Sequence, residues 1–371
     1  MRVCIVSPYD LSCDGGVNRH AVSLARALAA LGHVARVAGP ASGPVPEGCD
    51  ALGGAVAVPA NGSIARVGLL VSPGTTRDYL AAGAFDLVHV HEPIVPGPGR
   101  HALRFARVPV VATFHCAAER EQLLQRALRR AVSASLGRID FGIAVSRPAK
   151  RFARTIYRGP TAVVPNGVDL ARFTPEPGGS RPPARGGPLR VLFVGRFGEP
   201  RKGFHVLLAA AALLRRRGLE VEVRVAGAGP AARFAGRGGP AQASFLGCIG
   251  DADLAAEYRR ADVFCAPSLG REGFGLVLLE AMASGCPAVA SDIPGYAEAA
   301  RGAALLVRPG DPAELAAALA RAAEDGVLRA RLAAAGRARA EALSWSRVAA
   351  RVLHVYRAAG APDRARAATA A

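Results

Sequence analysis

The stretch that decides the fold occurs twice, as RVCIVS at residues 2–7 and as RVLFVG at residues 190–195. Each is a short apolar run, partly β-branched, that leads into a glycine-containing turn. Such runs are typical of strands buried on both faces of a parallel sheet. After the first run, Gly15 and Gly16 precede a segment whose apolar residues recur at helical spacing from Val17 to Leu31. Each half of the chain is therefore predicted to begin with a strand, a turn and a helix.

Strand and helix patterns keep alternating along both halves of the chain. Strands are predicted at 34–38, 86–90, 109–113, 141–145, 162–164, 189–194, 220–226, 262–266 and 287–290. In the second half and beyond it, helices are predicted at 204–217, 274–284, 311–323, 328–343 and 345–359. This alternation predicts an α/β protein of two Rossmann-like, doubly wound parallel-sheet domains that face each other across a cleft.

The domain boundaries follow from a composition change in the middle of the chain. Residues 174–188, TPEPGGSRPPARGGP, are almost all proline, glycine and polar, which is typical of a linker. We expect a first domain of residues 1–173 completed by residues 346–371, and a second domain of residues 189–345.

Composition excludes several classes of protein. The chain has 371 residues and is 51% apolar, which fits two domains of ~150 residues or more and excludes a disordered chain. No apolar run reaches the ~18–20 residues of a membrane span, and the N-terminus lacks the pattern of a secretory signal. The seven cysteines form no C-x-x-C pair, so neither a disulfide framework nor a zinc site is expected. Unpaired cysteines fit a reducing compartment, so we expect a cytoplasmic location.

The formal net charge of +18 predicts attraction to polyanions such as nucleic acid, anionic lipid or phosphorylated substrates. Aromatic residues do not interleave the basic helices, so nucleic acid is not an expected partner. Lys150 and Lys202 are the chain's two lysines, whereas arginine is abundant throughout. Because the composition favours arginine so strongly over lysine, each of the two lysines is a better indicator of function than another arginine.

The segment PSLGREGFGLVLLE, residues 267–280, is the richest in chemical groups. Glycines on both sides of Phe274 allow close approach of a ligand to the backbone, and the amides that open the following helix suit phosphate or sugar oxygens. Glu272 and Glu280 lie about two helical turns apart and can accept hydrogen bonds from hydroxyl groups. The alternative is a capped, buried helix with two solvated glutamates.

A second basic segment, GRFGEPRKG at residues 195–203, follows the strand that opens the second half. Arg196 and Lys202 would place two cations at the carboxyl edge of a parallel sheet, where open α/β sheets bind ligands. A diphosphate suits such a pair, although a charged surface loop has the same composition.

The first half offers weaker candidates. Gly16 opens the first helix, where amides can receive anionic oxygens. His115 ends a strand at the same edge and is a candidate contact of a reacting group, or a buried histidine with ordinary hydrogen bonds. His89 and His91 share one strand face, but without further ligands we expect hydrogen bonding there rather than a metal. The polar stretch from Asn61 to Arg66 is either a site for a phosphorylated acceptor or a turn.

A dinucleotide-like glycine pattern begins at Gly227. The strand that follows does not supply the acidic residue that a nicotinamide cofactor needs, so no such site is expected.

Together these segments resemble glycosyltransferase family four, retaining enzymes of the GT-B fold. The resemblance rests on EGFGLVLLE at 272–280, GGV at 15–17, VHEP at 90–93, TFH at 113–115, VPNGVD at 164–169 and the basic segment at 195–203. Within the family, SPY at 7–9, PANGSIAR at 59–66, FGEPRKG at 197–203 and CAPSLG at 265–270 are most similar to actinobacterial phosphatidylinositol mannosyltransferases.

The resemblance implies a donor site in the second domain for a nucleotide sugar, GDP-mannose in the first instance. Arg196 and Lys202 would hold the diphosphate, Glu280 the ribose, and Glu272 the sugar. The remaining implied donor contacts are Phe274, Gly275 and Leu276 at the sugar, Ile249 at the base and Gly16 at the phosphates.

The resemblance also implies an inositol phosphate or phosphatidylinositol acceptor in the first domain, at Tyr9, Asn61, Ser63 and Arg66. His115 would lie beside the sugar and the acceptor hydroxyl and would count, with Arg196, Lys202 and Glu272, among the catalytic residues. No metal or other cofactor is required. Peripheral contact with an anionic membrane, at the inner face of the plasma membrane, would follow.

The sequence departs from these mannosyltransferases at two places. Residues 76–82, TRDYLAA, carry one cation and one acid where the relatives have a basic cluster, which puts lipid binding in question. Leu254 stands where a lysine is common. Two alternatives therefore stay open: a glycosyltransferase with a soluble or natural-product acceptor and another nucleotide sugar, and a non-catalytic polyanion-binding protein.

Overall fold

The computed structural model describes residues 1–13, 15–60, 63–117, 135–176, 187–234 and 243–362. The strands, in chain order, are β1 (Arg2–Val6), β2 (Val34–Gly39), β3 (Cys49–Ala51), β4 (Val56–Ala60), β5 (Ser63–Val67), β6 (Leu87–His91), β7 (Val110–Phe114), β8 (Phe141–Ala144), β9 (Thr161–Val163), β10 (Leu189–Val194), β11 (Val221–Ala226), β12 (Ala243–Gly247), β13 (Val263–Ala266), β14 (Ala288–Ser291) and β15 (Leu305–Val307). The helices are α1 (Gly16–Ala30), α2 (Pro73–Ala82), α3 (Pro98–Phe105), α4 (Arg147–Ile156), α5 (Phe204–Arg216), α6 (Asp251–Arg260), α7 (Leu276–Ala283), α8 (Pro294–Ala300), α9 (Pro312–Glu324), α10 (Gly326–Ala342) and α11 (Trp345–Ala358).

The chain forms two compact units, one of Met1–Gly167 with the segment from Trp345 onward, and one of Val168–Ser344. The sequence pattern assigned residues 168–173 to the first domain, but in the structure they pack within the second. The Val168 amide donates to the Leu343 carbonyl at 3.0 Å, and the Phe173 ring lies 5.8 Å from that of Tyr258. Most of the predicted linker, residues 177–186, and the tail after residue 362 lie outside the described residues.

The first unit is built on a parallel sheet in the order β3-β2-β1-β6-β7-β8-β9. Both faces of strand β1 are covered, which explains why apolar and polar residues do not alternate along it. Val3 and Ile5 pack with Leu24 of α1 and with residues of α11, whereas Cys4 and Val6 pack in a second core cluster with α3. The strands β4 and β5 form a separate antiparallel hairpin.

The second unit repeats the design with the order β12-β11-β10-β13-β14-β15. Val191 and Phe193 of β10 belong to one apolar core with Phe204 of α5 and Leu315 of α9. Asp262, which is 2% exposed, accepts two hydrogen bonds from the Arg190 guanidinium and so ties the starts of β10 and β13 together. The prediction of two doubly wound parallel-sheet domains is confirmed.

The strand order places one crevice in each unit. In both sheets the chain order reverses beside the first strand, between β1 and β6 and between β10 and β13. Open α/β sheets bind ligands at this point, outside the carboxyl ends of the strands. The segments that follow these four strands are therefore the places to look for a site.

Two of the differences between the predicted elements and the structure concern segments with candidate site residues. Residues 63–66, expected in a loop, lie in β5, where each pairs with a residue of β4. The helix predicted from residue 274 begins at Leu276, because Gly275 adopts a left-handed φ of +111°. Among the helices that the structure describes, none combines the length and the apolar character needed to cross a membrane.

Candidate active site

Two loops of the second unit meet at its crevice, residues 195–203 after β10 and residues 267–275 after β13. Gly203 has φ +67°, and a Cβ atom there would lie 1.8 Å from the Pro267 carbonyl oxygen, so glycine is required. The Leu269 amide donates to the Arg201 carbonyl at 2.7 Å. The two loops are thus held in direct backbone contact.

The Glu272 carboxylate is the centre of this contact. Its Oε1 atom accepts from Arg201 Nη1 at 2.9 Å, from Lys202 Nζ at 2.8 Å and from Ser268 Oγ at 3.2 Å. Glu272 and Lys202 are largely buried, so the pair is screened less than a surface ion pair. The structure therefore brings together two of the residues that the sequence singled out, on loops 70 residues apart.

A second carboxylate extends the cluster. Glu199 Oε1 lies 2.8 Å from Arg196 Nε, and Glu199 Oε2 lies 2.8 Å from Arg201 Nη2. Arg201 thereby bridges Glu199 and Glu272. We call the five residues Arg196, Glu199, Arg201, Lys202 and Glu272 the cation cluster, and its three cations exceed its two carboxylates by one charge.

Sequence reasoning missed Glu199 and Arg201. Their neighbours in the motif, Arg196 and Lys202, were noted, but one more arginine carried little information in a chain so rich in them. Pro200, between Glu199 and Arg201, starts a short 3-10 turn, Pro200–Lys202. In this turn the side chains of Arg201 and Lys202 both reach Glu272. The proline, which favours such a turn, was the feature of the sequence that could have drawn attention to Glu199 and Arg201.

The start of helix α7 lies beside the cluster. A Cβ atom on Gly275 would lie 2.7 Å from the Tyr296 ring, and one on Gly295 would lie 2.1 Å from the Glu272 carbonyl oxygen. Tyr296 in turn bonds Ser268 at 2.9 Å, and Phe274 is buried. These contacts fix the helix start, whose first-turn amides carry partial positive charge.

Glu280 lies one turn into α7 and is 6% exposed. Its Oε2 atom accepts a hydrogen bond from the Tyr258 hydroxyl at 3.1 Å. The Val277 carbonyl oxygen, also 3.1 Å from the Tyr258 hydroxyl, shares its single proton. The alternative of a solvated glutamate is therefore wrong. Ile249, in the turn between β12 and α6, is half-buried.

The glycine pattern at Gly227 has a packing explanation. A Cβ atom on Gly227 would lie 2.2 Å from the Gly195 carbonyl oxygen, and one on Gly229 would lie 2.5 Å from the Phe197 ring. These glycines let the ends of β10 and β11 approach each other, which accounts for them without a nicotinamide site.

In the first unit, three histidines converge at the crevice. His91 ends β6, His115 follows β7 directly, and His20 lies in α1. His91 Nδ1 lies 2.8 Å from His115 Nε2, and His20 Nδ1 lies 2.8 Å from Asn166 Oδ1. Burial lowers the pKa of His20 to about 4 and holds those of His91 and His115 well below the usual range, so all three are neutral at pH 7.

His89 has the hydrogen-bonding role that the sequence indicated, with Tyr356 Oη at 2.8 Å and Thr113 Oγ1 at 2.7 Å. No pattern in the sequence indicated that His20 would join His91 and His115. Its helix is brought over β6 only by the fold, so the sequence did not reveal that two further histidine rings lie close to His91.

Glu92 lies next to His115, and its own backbone is in a left-handed conformation, with φ +46°. It is 4% exposed, and its Oε1 atom accepts from the His115 amide at 2.6 Å. Burial raises the pKa of Glu92 to about 7. The charge of Glu92, after burial itself, also raises the pKa of the nearby Tyr9 hydroxyl.

The acceptor candidates lie around the hairpin of β4 and β5. Arg66 Nε is paired with Asp10 Oδ2 at 3.0 Å, and Asp10 is almost wholly buried. Tyr9 pairs with Val67 and so lies next to β5. Ser63 begins β5, and Asn61 lies outside the described residues. In the first helix, Gly16 is exposed at the N-terminus.

Comparison with known proteins adds to this geometry. Residues 14–172 match the family model described as Glycosyltransferase Family 4, and residues 188–325 match the one described as Glycosyl transferases group 1. Phosphatidyl-myo-inositol mannosyltransferase of Mycolicibacterium smegmatis is 40% identical, over 96% of this chain and 93% of that protein. The protein of the same name from Propionibacterium freudenreichii is 37% identical, over 97% of this chain and 96% of its own length.

Among solved structures, sucrose-phosphate synthase from Thermosynechococcus elongatus has the same fold. It superposes with a TM-score of 0.74 at 24% identity, covering 96% of this chain and 98% of that one.

Proposed function

This chain belongs to glycosyltransferase family 4 and has the GT-B fold, and from this premise we propose that it moves mannose from GDP-mannose to phosphatidylinositol, with retention of the anomeric configuration. That it is a glycosyltransferase follows from the family, which sets the polyanion-binding alternative aside. Whole-chain similarity to the named mannosyltransferases is the observation that carries the choice of sugar and acceptor.

The cation cluster supports the donor part of the proposal. A nucleotide-sugar diphosphate carries two negative charges, and Arg196 with Lys202 would bind it by charge-assisted hydrogen bonds. Once the diphosphate engages Lys202, Glu272 loses one of its cation partners and can accept hydrogen bonds from the sugar hydroxyls. The cluster therefore holds its cations in place before the donor arrives, with its own carboxylates as temporary partners.

The other donor contacts follow the same logic. Glu280, already an acceptor for Tyr258, would accept from the ribose hydroxyls, and Ile249 would line the base pocket. The backbone of Phe274, Gly275 and Leu276 would contact the sugar. Gly16 would bring its amide to the phosphates.

On the acceptor side, we place the inositol phosphate at Tyr9, Asn61, Ser63 and Arg66. Arg66 is the anion-binding group of this set, and its present partner is the Asp10 carboxylate. A phosphate that binds here must share Arg66 with Asp10, which favours a dianionic or multiply hydrogen-bonded ligand.

We propose front-face substitution as the mechanism. The bond between the mannose C1 atom and the diphosphate oxygen breaks while the acceptor hydroxyl oxygen bonds C1 from the same side. The departing phosphate oxygen takes the hydroxyl proton, and GDP leaves. Arg196, Lys202 and the first amides of α7 stabilise the charge that builds on the phosphate, and His115 orients the sugar or the acceptor.

A two-step mechanism would need a carboxylate nucleophile about 5–5.5 Å from an acid partner. Glu272 and Glu199 are held by cations, and Glu92 is buried under the His115 amide. None of these three carboxylates is disposed as a nucleophile, which favours the single displacement.

The mechanism predicts that His115→Ala retains measurable turnover and that EDTA does not abolish transfer, because neither an obligatory base nor a metal is needed. Initial rates of GDP release check both results. A mannosyl ester trapped on any aspartate or glutamate would refute the front-face proposal.

Nucleotide preference can be measured by thermal unfolding. A ligand at a hundred times its dissociation constant stabilises a protein by ~2.7 kcal/mol. Among matched concentrations of nucleotides and nucleotide sugars, GDP and GDP-mannose should raise the unfolding midpoint most. A larger shift with a UDP-sugar would favour the alternative, a family member with a soluble acceptor and another donor, while leaving the fold and family unaffected.

We place the enzyme in the cytoplasm, in peripheral contact with the anionic inner face of the plasma membrane. The hairpin and the turn after it support this placement, since Ile64, Leu69 and Leu70 are 67%, 45% and 70% exposed. Exposed apolar side chains next to a proposed lipid site suit insertion between head groups.

Leu69→Ser/Leu70→Ser is therefore expected to lower partitioning onto vesicles of phosphatidylglycerol and phosphatidylinositol by about tenfold or more, because each large apolar side chain gains ~1.5–3 kcal/mol when fully removed from water. Sedimentation of the vesicles measures it. Val327→Ser is the matched control, since Val327 is 82% exposed on the second unit. Equal binding of the two variants would contradict this membrane contact.

A further inference from the structure

The three histidines at the crevice of the first unit form a compact group. His20, His91 and His115 each offer one ring nitrogen, and these nitrogens lie within 4.8 Å of one another. The ring centroids are 4.9–5.2 Å apart. Three separate elements supply them, namely α1, the end of β6 and the loop after β7.

The hydrogen bonds of His20 prepare it as a ligand. The Asn166 Oδ1 atom only accepts, so the proton of the neutral His20 ring lies on Nδ1 and Nε2 keeps its lone pair. An oxygen that bonds the other ring nitrogen and so fixes the tautomer is the usual companion of a metal-binding histidine.

His91 and His115 face each other through nitrogen atoms. His91 Nδ1 and His115 Nε2 are 2.8 Å apart, so one proton lies between two nitrogens that can both bind a cation. The other ring nitrogen of His91, Nε2, is buried and has no hydrogen-bond partner among the described residues. Hydrogen bonding therefore does not fully account for burying this ring.

We propose that His20, His91 and His115 bind one transition-metal ion, with Zn²⁺ as the ion they suit best. Imidazole nitrogens favour Zn²⁺ and its neighbours, whereas Mg²⁺ and Ca²⁺ require oxygen ligands. Zn–N bonds of about 2.0–2.1 Å place tetrahedral ligand atoms about 3.3 Å apart, so the nitrogens need to move by about an ångström. Three protein ligands leave a fourth position for water.

Metal binding would regulate the enzyme rather than serve its chemistry. An ion on these nitrogens takes the place of the proton between His91 Nδ1 and His115 Nε2, and this proton moves to the far nitrogen of the ring that carries it. The ion thereby withdraws the His115 ring from the sugar or the acceptor hydroxyl. Inhibition by Zn²⁺ follows, and this consequence rests on the proposed function. Binding of the ion does not.

The test uses the full chain in a Cys13→Ser/Cys248→Ser background, because these two exposed thiols would bind the same ions. Zn²⁺ affinity is measured by competition with a chromophoric chelator, and Co²⁺ absorption reports the coordination geometry. His20→Asn keeps an amide group where Nδ1 meets Asn166 but lacks Nε2. His354→Ala, on the exposed face of α11, is the control.

We expect one ion per chain in the parent and in His354→Ala, with at least tenfold weaker binding in His20→Asn and in His115→Ala. If His20→Asn does not fold, as judged by its thermal unfolding, His115→Ala decides the matter. Absence of stoichiometric binding in the parent, or equal affinity in parent and folded variants, overturns the site.

Activity separates this inference from the proposed function. Zn²⁺ should inhibit mannosyl transfer by the parent and leave the residual turnover of His115→Ala unchanged. Metal binding without any mannosyl transfer would support the metal site and refute the proposed function. Mannosyl transfer without metal binding would support the proposed function and refute the metal site.

Discussion

Replacing Lys202 with alanine is expected to weaken the binding of GDP-mannose about 10- to 150-fold, which corresponds to the ~1.5–3 kcal/mol of one charge-assisted contact. Lys202 lies at the carboxyl edge of β10 and approaches Glu272 at 2.8 Å. In the variant the diphosphate would lose this cation and keep Arg196. Isothermal titration with GDP-mannose measures the change directly.

Lys150→Ala is the control, because Lys150 is the chain's other lysine and lies on α4 in the first unit. The two variants lose the same charge, so a long-range effect of net charge would weaken both. Equal donor affinities in the two variants would place the diphosphate elsewhere than at the cation cluster.

The second large effect is expected at Gly203. An alanine there must adopt φ +67° and place its Cβ atom 1.8 Å from the Pro267 carbonyl oxygen, which forces apart the two loops that carry Lys202 and Glu272. Left-handed backbone costs an alanine ~1–2 kcal/mol, and the overlap adds ~1–3 kcal/mol or more. We expect Gly203→Ala to destabilise the protein by about 3 kcal/mol or more and to abolish donor binding at micromolar protein.

Gly218→Ala separates the cost of the left-handed backbone from the cost of the steric overlap. Gly218 has φ +82° but open space around its Cβ position, so only the backbone term applies. Denaturant unfolding of both variants gives the comparison. Equal losses of stability would mean that the contact between the loops does not hold them.

The local features of the fold could be read from the sequence because they follow from neighbouring residues. The unalternating run at β1 indicated a strand with both faces covered, and Gly15 with Gly16 marked the turn into α1. The hairpin of β4 and β5 was missed, since Pro59 and the polar residues around it are typical of a loop. Its pairing is set by the partner strand rather than by propensity.

The site was predictable in its parts but not in its connections. Glu272 and Lys202 were singled out separately, because each stands in a glycine-rich turn after a strand. Their contact depends on how β10 and β13 pair, which no local pattern encodes. His20 meets Asn166 across 146 residues for the same reason.

Arginine composition hid one residue of the cluster. Arg201 bridges both carboxylates, yet in a chain with this excess of arginine its presence was uninformative until its partners were visible. Glu199 was recognisable only as a residue before proline. Its two ion pairs depend on the 3-10 turn at Pro200–Lys202.

Transfer of radiolabel tests the central claim most directly. The full chain is incubated with GDP-[¹⁴C]mannose and vesicles that contain phosphatidylinositol, and the lipid phase is separated by chromatography. We predict a labelled lipid that releases mannose on α-mannosidase treatment, with Lys202→Ala greatly reduced and Lys150→Ala unchanged. Label that stays out of the lipid phase, together with efficient transfer from a UDP-sugar to a water-soluble acceptor, would contradict the proposed function.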